Sequence, residues 1–585
     1  MQCIPNLCKQ IADYWTRYDR KKSSVLKYKS DWLNQNESIP VKNISKKYQQ
    51  RVQSPHRGRQ KLDFEESSAR TKRRRIAHLA ELDESAISSL RTECEMKNIL
   101  PADPDEVISL LMETAMSKNQ YLLIRNFVNS KISFDFFPCY KRILNSKKKR
   151  YPENISVDES HAEVELQSLL DNTASSILEL QANVVETVND DSIENLVLIG
   201  KWGFDGSTGH SEYKQKFSNN DLDDKSLFVT SYVPLQLISK SGNKIIWKNP
   251  RPSSTRYCRP IRFQFQKETS QLSINEERYF KEKINLLKRS VIFIHNRNIN
   301  VEHSLQLTMV DGKVCNALTE SSSAKCYICG ANPKEMNDLD KCLNKVVNKE
   351  HFEFGLSPLH AKIRFFEYFL HISYKSSVKM WQVRDPEKKL EVMKRKQKIQ
   401  KEFREKMGLI VDKPRDGGRG SSNDGNVARK FFSNPKLASD ITGIDENLIH
   451  RCATILQAIA SGYKINAKKF NEYALETAKQ LTKKYSWYYL PATVHKVLIH
   501  GSAIIEHAII SIGELSEEAA ESNNKEIKKC RLYHSRKMSR IITNTDILNA
   551  LLLRSDPFIT GQRDLEKKDK STLLESVYSL LEETL

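Results

Sequence analysis

The sequence predicts an α+β fold in which a β-rich half is followed by a long helical region. Residues 195–316 contain apolar segments rich in β-branched and aromatic residues, separated by Gly, Ser, Asn and Pro, which is typical of strands. From Cys329 to about residue 555, apolar residues recur at helical spacing, with Pro and Gly at the segment ends. We therefore expect a sheet joined to a large helical insertion.

Two of the predicted strands end in an aspartate, a position from which the side chain could bind a metal ion. The segments are "NLVLIGKWGFDG", "SLFVTSYVPLQLIS", "NKIIWKN", "RPIRFQFQ" and "HSLQLTMVDGKV". Asp205 ends the first segment and Asp311 ends the last, and each is followed by Gly. An Asp before a Gly often only opens a turn. A pair of strand-end aspartates could also hold Mg²⁺ at a sheet edge, because hard cations prefer carboxylate oxygens.

Helices are predicted on both sides of the strands. Residues 105–145 have helix-spaced apolar residues and suggest a small helical unit. Further predicted helices are "SPLHAKIRFFEYFLHISYK", "DPEKKLEVMKRKQKIQKEFREKMG" and "NEYALETAKQLTKKY", and the Gly-rich basic loop Asp412–Lys430 should open another. A third carboxylate could come from the segment "ELSEEAAESNNKEIKKCR", which offers Glu514, Glu517, Glu518 and Glu521. Spacing does not choose among these four, and any of them could simply face solvent.

Cys326 and Cys329 form a Cys-x-x-Cys pair, which is half of a tetrahedral zinc site. His495 and His500 lie in an apolar segment and are candidates for the other half. The alternatives are His351, His360 and His507. Residues five apart on an ideal helix differ by about 140°, so a metal shared by the first two histidines requires an irregular turn, for example before Gly501. The eleven cysteines are odd in number and scattered, which predicts a reducing, intracellular environment.

The charge of the chain favours a polyanionic partner. The formal net charge is +21, and residues 41–75 hold twelve Lys or Arg against three acids, ending in "TKRRR". Such a run suits nuclear import or a flexible arm on phosphates. Further basic groups lie at 146–150, 394–401 and 528–537. No run of about 18 apolar residues appears, and the first residues lack the apolar stretch of a secretory signal, so neither a membrane span nor secretion is expected.

These motifs, in this order, resemble a known family. The chain is similar to the catalytic core of the V(D)J recombinase large subunit, the recombination-activating protein, and to Transib-type DDE DNA transposases. Residues 511–540 resemble the last catalytic stretch of that core, where Glu-Ser-x-Asn-Lys supplies the third carboxylate, and the match falls on Glu521. "FDGSTGHSEYK" and "VDGKV" match the first and second catalytic aspartates, Asp205 and Asp311. The resemblance covers roughly residues 195–545.

The resemblance extends to binding residues. Cys326 and Cys329 follow the second Asp as the zinc cysteines of the family do, and His495 and His500 match its His-x4-His. "NDGNVARKFF" is similar to a stretch associated with DNA contact, although Asp424 stands where the family has Asn. The DNA-binding residues expected there are Asn426, Arg429 and Lys430, with Lys528, Arg536 and Lys537 as candidates in the last basic group. "PLHAKIRFFEYF" resembles a segment near the family's active site and places His360 beside it.

The resemblance implies an RNase H-like catalytic domain split by a large, zinc-stabilised helical insertion. The predicted regions are a basic, partly disordered arm (1–100), a helical DNA-binding and dimerisation region (101–190), the β-rich catalytic half (191–325), the zinc-closed insertion (326–510), the catalytic Glu helix with basic C-terminal helices (511–560) and a tail (561–585). The four Cys and His ligands would bind one structural Zn²⁺ with no open position.

The activity that the resemblance implies is metal-dependent nicking, hairpin-forming transesterification and strand transfer on DNA. Asp205, Asp311 and Glu521 would hold two Mg²⁺ or Mn²⁺ ions about 4 Å apart. The expected partners are double-stranded DNA with terminal inverted repeats, target DNA, a second copy of the chain and an accessory subunit, all in the nucleus. One alternative is a catalytically silent, transposon-derived nuclear DNA-binding protein. Another is a nuclear zinc-bearing interaction protein, which would leave the carboxylates unexplained.

Overall fold

The computed structural model describes residues 68–80, 100–132, 134–187, 193–219, 222–240, 244–414, 421–563 and 573–582. The chain divides into two compact units, Met1–Lys149 and Arg150–Leu585. Most of the amino-terminal arm, for which the sequence predicts partial disorder, lies outside the described residues. The "TKRRR" run lies inside them, in helix α1 (Ala69–Ala80).

Three short helices form the described core of the first unit. They are α2 (Pro104–Thr114), α3 (Lys118–Lys131) and α4 (Tyr140–Lys149). Helices α2 and α3 each begin with a capping box, from Asp103 and Ser117, which satisfies backbone N–H groups that the first turn leaves free. Ile108, Tyr121 and Ile143 are among their buried side chains. The helical unit predicted at 105–145 is therefore confirmed.

One mixed sheet organises the second unit. Its strands are β1 (Ile155–Val157), β2 (His161–Val164), β3 (Asn195–Thr208), β4 (Ser226–Ser239), β5 (Ile245–Lys248), β6 (Arg259–Gln264), β7 (Ser290–Ile294) and β8 (Arg297–Leu307). The order across the sheet is β1-β2-β6-β4-β3-β8-β7, and β5 pairs with β4. Strands β3 and β8 are parallel, and the other pairings are antiparallel. The predicted α+β class is confirmed, although β1 and β2 lie in a region expected to be helical.

The position of the two aspartates on the strands differs from the prediction. Asp205 does not end β3, which continues to Thr208 and stays paired with β4 to that residue. Strand β8 ends at Leu307, so Asp311 does not end a strand either. Asp311 instead caps a helix, because its side chain accepts a hydrogen bond from the Val314 N–H at 2.8 Å.

Helices cover the sheet and form the remainder of this unit. Around the strands lie α5 (Leu166–Leu180), α6 (Ala182–Thr187), α7 (Ser270–Asn285) and α8 (Gly312–Leu318). The region after Cys329 contains α9 (Leu339–Leu343), α10 (Pro358–Lys375), α11 (Pro386–Met407), α12 (Gly425–Ser433), α13 (Pro435–Thr442), α14 (Glu446–Ala460), α15 (Ala467–Lys484), α16 (Ala492–His495) and α17 (Gly501–His507). The chain closes with α18 (Glu518–Tyr533), α19 (Arg540–Ser555), α20 (Pro557–Gly561) and α21 (Glu575–Tyr578). The helices predicted after Cys329 are confirmed, whereas α7 interrupts the span predicted as strands.

The helical region has a hydrophobic core of its own. It is rich in aromatic side chains such as Phe365, Phe369, Phe403 and Phe431. Two further buried clusters contain side chains from the sheet together with residues of α5, α18 and other elements.

Within the described part of the chain, no single helix is both long and apolar enough to cross a membrane. One pair of helical segments, Ala492–His507 and Ile512–Tyr533, is long and apolar enough only when the two are taken together, and the pair is bent by 95°.

Candidate functional site

Strand β3 is the platform of the candidate active site. Side chains alternate between the two faces of a strand, so Lys201, Gly203 and Asp205 share one face while Trp202 and Phe204 point the other way into the core. Asp205 is half-buried. Its Oδ2 accepts a hydrogen bond from Asn524 Nδ2 of α18 at 2.7 Å. Strand β3 therefore holds the first aspartate against the helix that carries the candidate glutamate.

Gly203 allows Asp311 to approach Asp205. A Cβ atom on Gly203 would lie 2.1 Å from the Met309 carbonyl oxygen, so a side chain there would push this segment away. The Met309 N–H donates to the Trp202 carbonyl at 3.1 Å and continues the parallel contact beyond the end of β8. Because β3 and β8 run in the same direction, the chain that leaves β8 reaches α8 at the edge where Asp205 lies.

Glu521 is the member of the four glutamates that lies with the aspartates. It is exposed in the first turn of α18, and its charge acts on both Asp205 and His360. The other three have different partners. Glu514 binds Gln236 and Lys248, Glu517 binds His360, and Glu518 pairs with Arg429. Of the four glutamates, Glu521 is the one whose charge acts on Asp205.

Burial and the neighbouring carboxylates both disfavour the charged form of Asp205. Burial raises the pKa of Asp205 to about 7, and the negative charges of Asp311, Glu268 and Glu521 contribute to the same rise, while His360 opposes it. A carboxyl group titrating near neutral pH among other acids is a frequent feature of functional sites. A divalent cation would relieve this repulsion, because its charge favours the ionised form of every acid around it.

Glu268 is a fourth carboxylate that the sequence does not reveal. It lies between β6 and α7, where "QKETS" shows no motif beyond an isolated acid. A Cβ atom on Gly206 would lie 2.7 Å from Glu268 Oε2, so the carboxylate packs directly on β3. Lys313 Nζ, two residues after Asp311, forms an ion pair with Glu268 Oε1 at 2.8 Å. Glu268 therefore adds negative charge beside Asp205 and is itself partly neutralised by a lysine.

A histidine–glutamate pair faces the carboxylates. His360 Nδ1, in the first turn of α10, lies 2.7 Å from Glu517 Oε1, and Ser357 Oγ donates to the same oxygen. Burial alone lowers the pKa of His360, but its hydrogen bond to Glu517 and the charges of Glu517, Asp311 and Glu521 raise it overall. Burial raises the pKa of Glu517, and its bonds to His360 and Ser357 lower it overall. The contact with Glu517 thus favours the protonated form of the His360 imidazole and holds the ring in place.

The first candidate DNA contacts lie close to α18. Helix α12 begins at Gly425, where a Cβ atom would lie 2.4 Å from Leu359 Cδ1, so its first turn packs on α10. Asp424 caps this helix by accepting from the Asn426 and Val427 N–H groups, both at 2.9 Å. Arg429 donates to Glu518 of α18 at 2.8 Å, and also to Asn426. Lys430 is exposed on the same helix.

The second group of candidate DNA contacts is already engaged within the chain. Lys528 Nζ donates to the Gly209 carbonyl at 2.6 Å. Arg536 forms a two-point ion pair with Asp546, and Lys537 donates to the Tyr213 hydroxyl at 3.0 Å. All three side chains are exposed. Each could contact a phosphate only by sharing or exchanging its present partner, and none is held at the carboxylate cluster by a described hydrogen bond.

Cys326, Cys329, His495 and His500 form a group that could bind a metal such as zinc. Their ligand atoms lie within 4.8 Å of one another and all four residues are buried. A tight turn orients the two thiols, because the Gly330 N–H donates to the Cys326 carbonyl at 2.7 Å and Gly330 adopts a φ of 67°. That backbone conformation favours glycine.

The irregular turn that the two histidines require is present. Residues Lys496–His500 form a π-helical turn between α16 and α17. Its i→i+5 hydrogen-bonding pattern widens the turn and reduces the angle between residues five apart, and the two imidazole ring centroids are 5.2 Å apart. The alternative histidines lie elsewhere: His351 binds the Tyr327 carbonyl, His360 binds Glu517, and His507 is exposed. The predicted four-residue set is therefore brought together.

The distances suit a shared tetrahedral ion. Cys329 Sγ and His495 Nε2 are 3.4 Å apart. Bonds of 2.3 Å to sulfur and 2.0–2.1 Å to nitrogen at a tetrahedral angle separate two such ligands by roughly 3.6 Å. His500 Nε2 is buried without a hydrogen-bond partner among the described residues, and a metal bond would satisfy it.

Comparison of the sequence with family models and with curated sequences found no match. The functional assignment therefore depends on the residues and on their arrangement.

Proposed function

We propose that this protein is a divalent-metal-dependent enzyme of the DDE type that cuts DNA strands and transfers them to new positions. The observation that carries the proposal is the convergence of Asp205, Asp311 and Glu521 on one face of β3, with the pKa of Asp205 raised to about 7 by burial and by its acidic neighbours. A structural role does not require three acids to be held together at such a cost. Hydrolysis and transfer of phosphodiesters do require it, because two cations must be bound between carboxylates.

Each side chain of the site has a role in this proposal. Asp205, Asp311 and Glu521 would hold two Mg²⁺ or Mn²⁺ ions, which when bound supply nucleophile activation and neutralise charge on the leaving oxygen. Asn524 orients Asp205 through its 2.7 Å hydrogen bond. His360, fixed by Glu517, would face the place where the scissile phosphate lies, and in its protonated form, which Glu517 favours, it would present positive charge there. No nucleotide cofactor is required.

The Cys and His group has a different role. In the proposed architecture, a zinc ion closes the helical insertion of an RNase H-like domain by joining Cys329 to His495, which lies 166 residues further along the chain. Since all four ligands come from the protein, the site leaves no open position for a substrate. The zinc would thus hold the helical region next to the sheet, including the segment that presents His360.

The proposed substrate is double-stranded DNA with terminal inverted repeats, and the product strand is transferred to target DNA through a hairpin intermediate on the flanking side. Arg429 and Lys430 would contact phosphates beside the carboxylates, since Arg429 already binds the first turn of α18. A net charge of +21 supports a nucleic-acid partner. A second copy of the chain, an accessory subunit and nuclear localisation belong to the same proposal.

A cleavage assay tests the proposal. Purified protein is incubated with Mg²⁺ or Mn²⁺ and an end-labelled duplex that carries the inverted repeats found beside the gene. We expect nicks at the repeat ends with the wild type and with Glu506→Gln, a control that removes an exposed carboxylate of α17. Asp205→Asn, Asp311→Asn and Glu521→Gln should each abolish nicking while DNA binding and zinc content are retained.

The same assay distinguishes the proposed enzyme from the main alternative, a transposon-derived DNA-binding protein without catalytic activity. That protein would shift the labelled duplex in a binding assay and leave it uncut with either metal. Equal nicking by wild type and all three carboxylate variants would indicate a contaminating nuclease and would contradict the assignment of the site.

A further inference from the structure

Lys201 is a fully buried lysine in the middle of β3, with a relative exposure of 0%. Its Nζ donates to the Glu514 carbonyl at 2.8 Å and to the Ser516 carbonyl at 2.6 Å. These two carbonyls belong to the short segment, beginning with the 3₁₀ turn Ile512–Leu515, that leads directly into α18. The lysine therefore reaches from the sheet to the backbone that precedes the candidate catalytic glutamate.

The Glu514 side chain fixes the same segment to two other strands. Glu514 Oε2 accepts from Gln236 Nε2 of β4 at 3.0 Å, and Glu514 Oε1 pairs with Lys248 Nζ of β5 at 2.5 Å. Together with Lys201, these contacts bind the entry of α18 to β3, β4 and β5. We call these four residues the α18 clamp: Lys201, Gln236, Lys248 and Glu514.

A buried lysine needs an explanation, because removing an ammonium group from water is costly unless it is paired and hydrogen-bonded. Burial lowers the pKa of Lys201 to about 8. An apolar side chain of similar length would fill the space without that penalty. What an apolar side chain lacks is the set of N–H donors that holds two backbone carbonyls at one place.

The clamp and the acidic site share one face of one strand. Lys201 and Asp205 are four residues apart, so they lie on the same side of β3 and roughly 13 Å apart. Lys201 holds the chain at Ser516, and Asp205 accepts a hydrogen bond from Asn524. Glu521 lies between these two attachment points in the sequence.

Lys528 and Arg531 hold the far end of α18 through the Gly209 and Asp224 carbonyls. Lys201 is the contact that ties the start of the helix to the middle of β3, so it affects where the first turn with Glu521 lies along the strand.

We infer that Lys201 is a positioning residue: it sets the place of α18 on β3 so that Glu521 completes the divalent-metal site with Asp205 and Asp311. This inference rests on the proposed function for the identity of the metal site. It goes beyond that function in assigning control of the site geometry to a residue that touches neither metal nor DNA.

The test compares three lysine variants in the full chain. Lys201→Met keeps an unbranched side chain that is one atom shorter and removes the N–H donors. Lys248→Met acts on the clamp from the surface, since Lys248 is 48% exposed, and it leaves Lys201 in place. Lys240→Met is the matched control, because Lys240 is 53% exposed and pairs with Glu302, outside the clamp.

Two measurements are made on each variant: Mn²⁺ binding, followed by the electron paramagnetic resonance of free Mn²⁺, and the Mn²⁺ dependence of nicking. We expect Lys201→Met to raise the Mn²⁺ dissociation constant at least tenfold, Lys248→Met to raise it about threefold, and Lys240→Met to leave it unchanged. High Mn²⁺ should restore part of the nicking rate of Lys201→Met, which a simple loss of folded protein would not allow. Folding is checked by zinc content and by the thermal transition.

The outcomes distinguish the inference from the function on which it rests. A folded Lys201→Met protein with wild-type Mn²⁺ binding overturns the inference while leaving the enzyme assignment intact. If Lys201→Met does not fold, an unchanged dissociation constant in Lys248→Met overturns it. If the wild type neither binds Mn²⁺ nor nicks DNA, the proposed function fails. In that case, amide hydrogen exchange of residues 512–526 tests whether the clamp holds the start of α18. Equal protection of these amides in wild type and Lys248→Met would contradict the inference.

Discussion

The two candidate metal centres of this protein differ in nearly every physical respect. The sulfur and nitrogen centre brings Cys326, Cys329, His495 and His500 within 4.8 Å of one another, all buried. The carboxylate centre joins acids from β3, the start of α8 and the first turn of α18, and Glu521 in it is exposed. The first is closed by four protein ligands, whereas the second is open on one side.

The two centres also differ in the charge of their side chains. The closed centre presents two thiols and two imidazoles, a set that zinc binds without an open position. In the open centre, burial and the negative charges of neighbouring acids together raise the pKa of Asp205 to about 7. The difference predicts that the closed centre contributes to the folded state when a metal is bound, while the open centre lowers the stability of the metal-free protein.

The largest effect should follow from breaking the closed centre. Cys329→Ser or His500→Ala is expected to remove one equivalent of zinc and to lower the free energy of unfolding by more than about 4 kcal/mol, because metal binding is part of the folding free energy. Metal analysis and thermal denaturation measure both quantities. The control is His507→Ala, an exposed histidine of α17, which should keep its zinc. Undiminished zinc in His500→Ala would exclude this histidine as a ligand.

The open centre should respond in activity rather than in stability. Glu521→Gln is expected to reduce nicking roughly 100-fold or more, since it removes a charge needed only when the cations are bound. Its melting temperature and zinc content should match the wild type. Glu517→Gln should reduce nicking less, because Glu517 binds His360 and not the cations. The opposite ranking of these two variants would show that the wrong glutamate is assigned to the metal site.

The DNA contacts beside the open centre should show an effect on binding. Replacing both Arg429 and Lys430 by Ala should weaken binding similarly on matched and unmatched DNA. The slope of log affinity against log salt should fall by roughly two, about one for each lost phosphate contact. Lys436→Ala, an exposed lysine of α13, is the control and should keep the wild-type slope. An unchanged slope in the double variant would move the DNA path elsewhere, for example to residues 394–401.

The smallest effect concerns the stability cost of the open centre. The pKa of Asp205 is raised from 3.8 to about 7, so between these values the folded state keeps a proton that the unfolded state has lost. Its contribution to stability is therefore fully present below pH 3.8 and is lost as the pH rises through about 7. Because Asp205 is only half-buried and solvent screens part of this effect, Asp205→Asn should stabilise the protein by about 1 to 2 kcal/mol at pH 8 without added Mg²⁺ and by little at pH 4.

Thermal denaturation at the two pH values measures this effect, with Asp440→Asn, an exposed carboxylate of α13, as the control. Added Mg²⁺ should stabilise the wild type more than Asp205→Asn. A lower stability of Asp205→Asn at pH 8 would mean that the aspartate serves the fold rather than a cation.

Much of the local structure could be predicted from the residues. All five predicted strand segments contain strand residues, although the last one covers only the end of β8, and the helices predicted after Cys329 are present. The angular separation of His495 and His500 on an ideal helix required an irregular turn, and a π turn is present. The assignment of Asp311 to a strand end was wrong, because an Asp before a Gly can equally cap a helix, and periodicity does not separate these cases.

Periodicity and short motifs by themselves determined the α+β class, the strongly basic character and the pair of thiols, because each depends on residues that are close in the chain. Which acids meet was decided by the tertiary structure. Asp311 reaches Asp205 because β8 runs parallel to β3 and because Gly203 has no side chain to keep Met309 away. Glu268 and Lys201 acquire their roles in the same way, since partners that are distant in the sequence become neighbours only through the pairing of strands and the packing of α18 on β3.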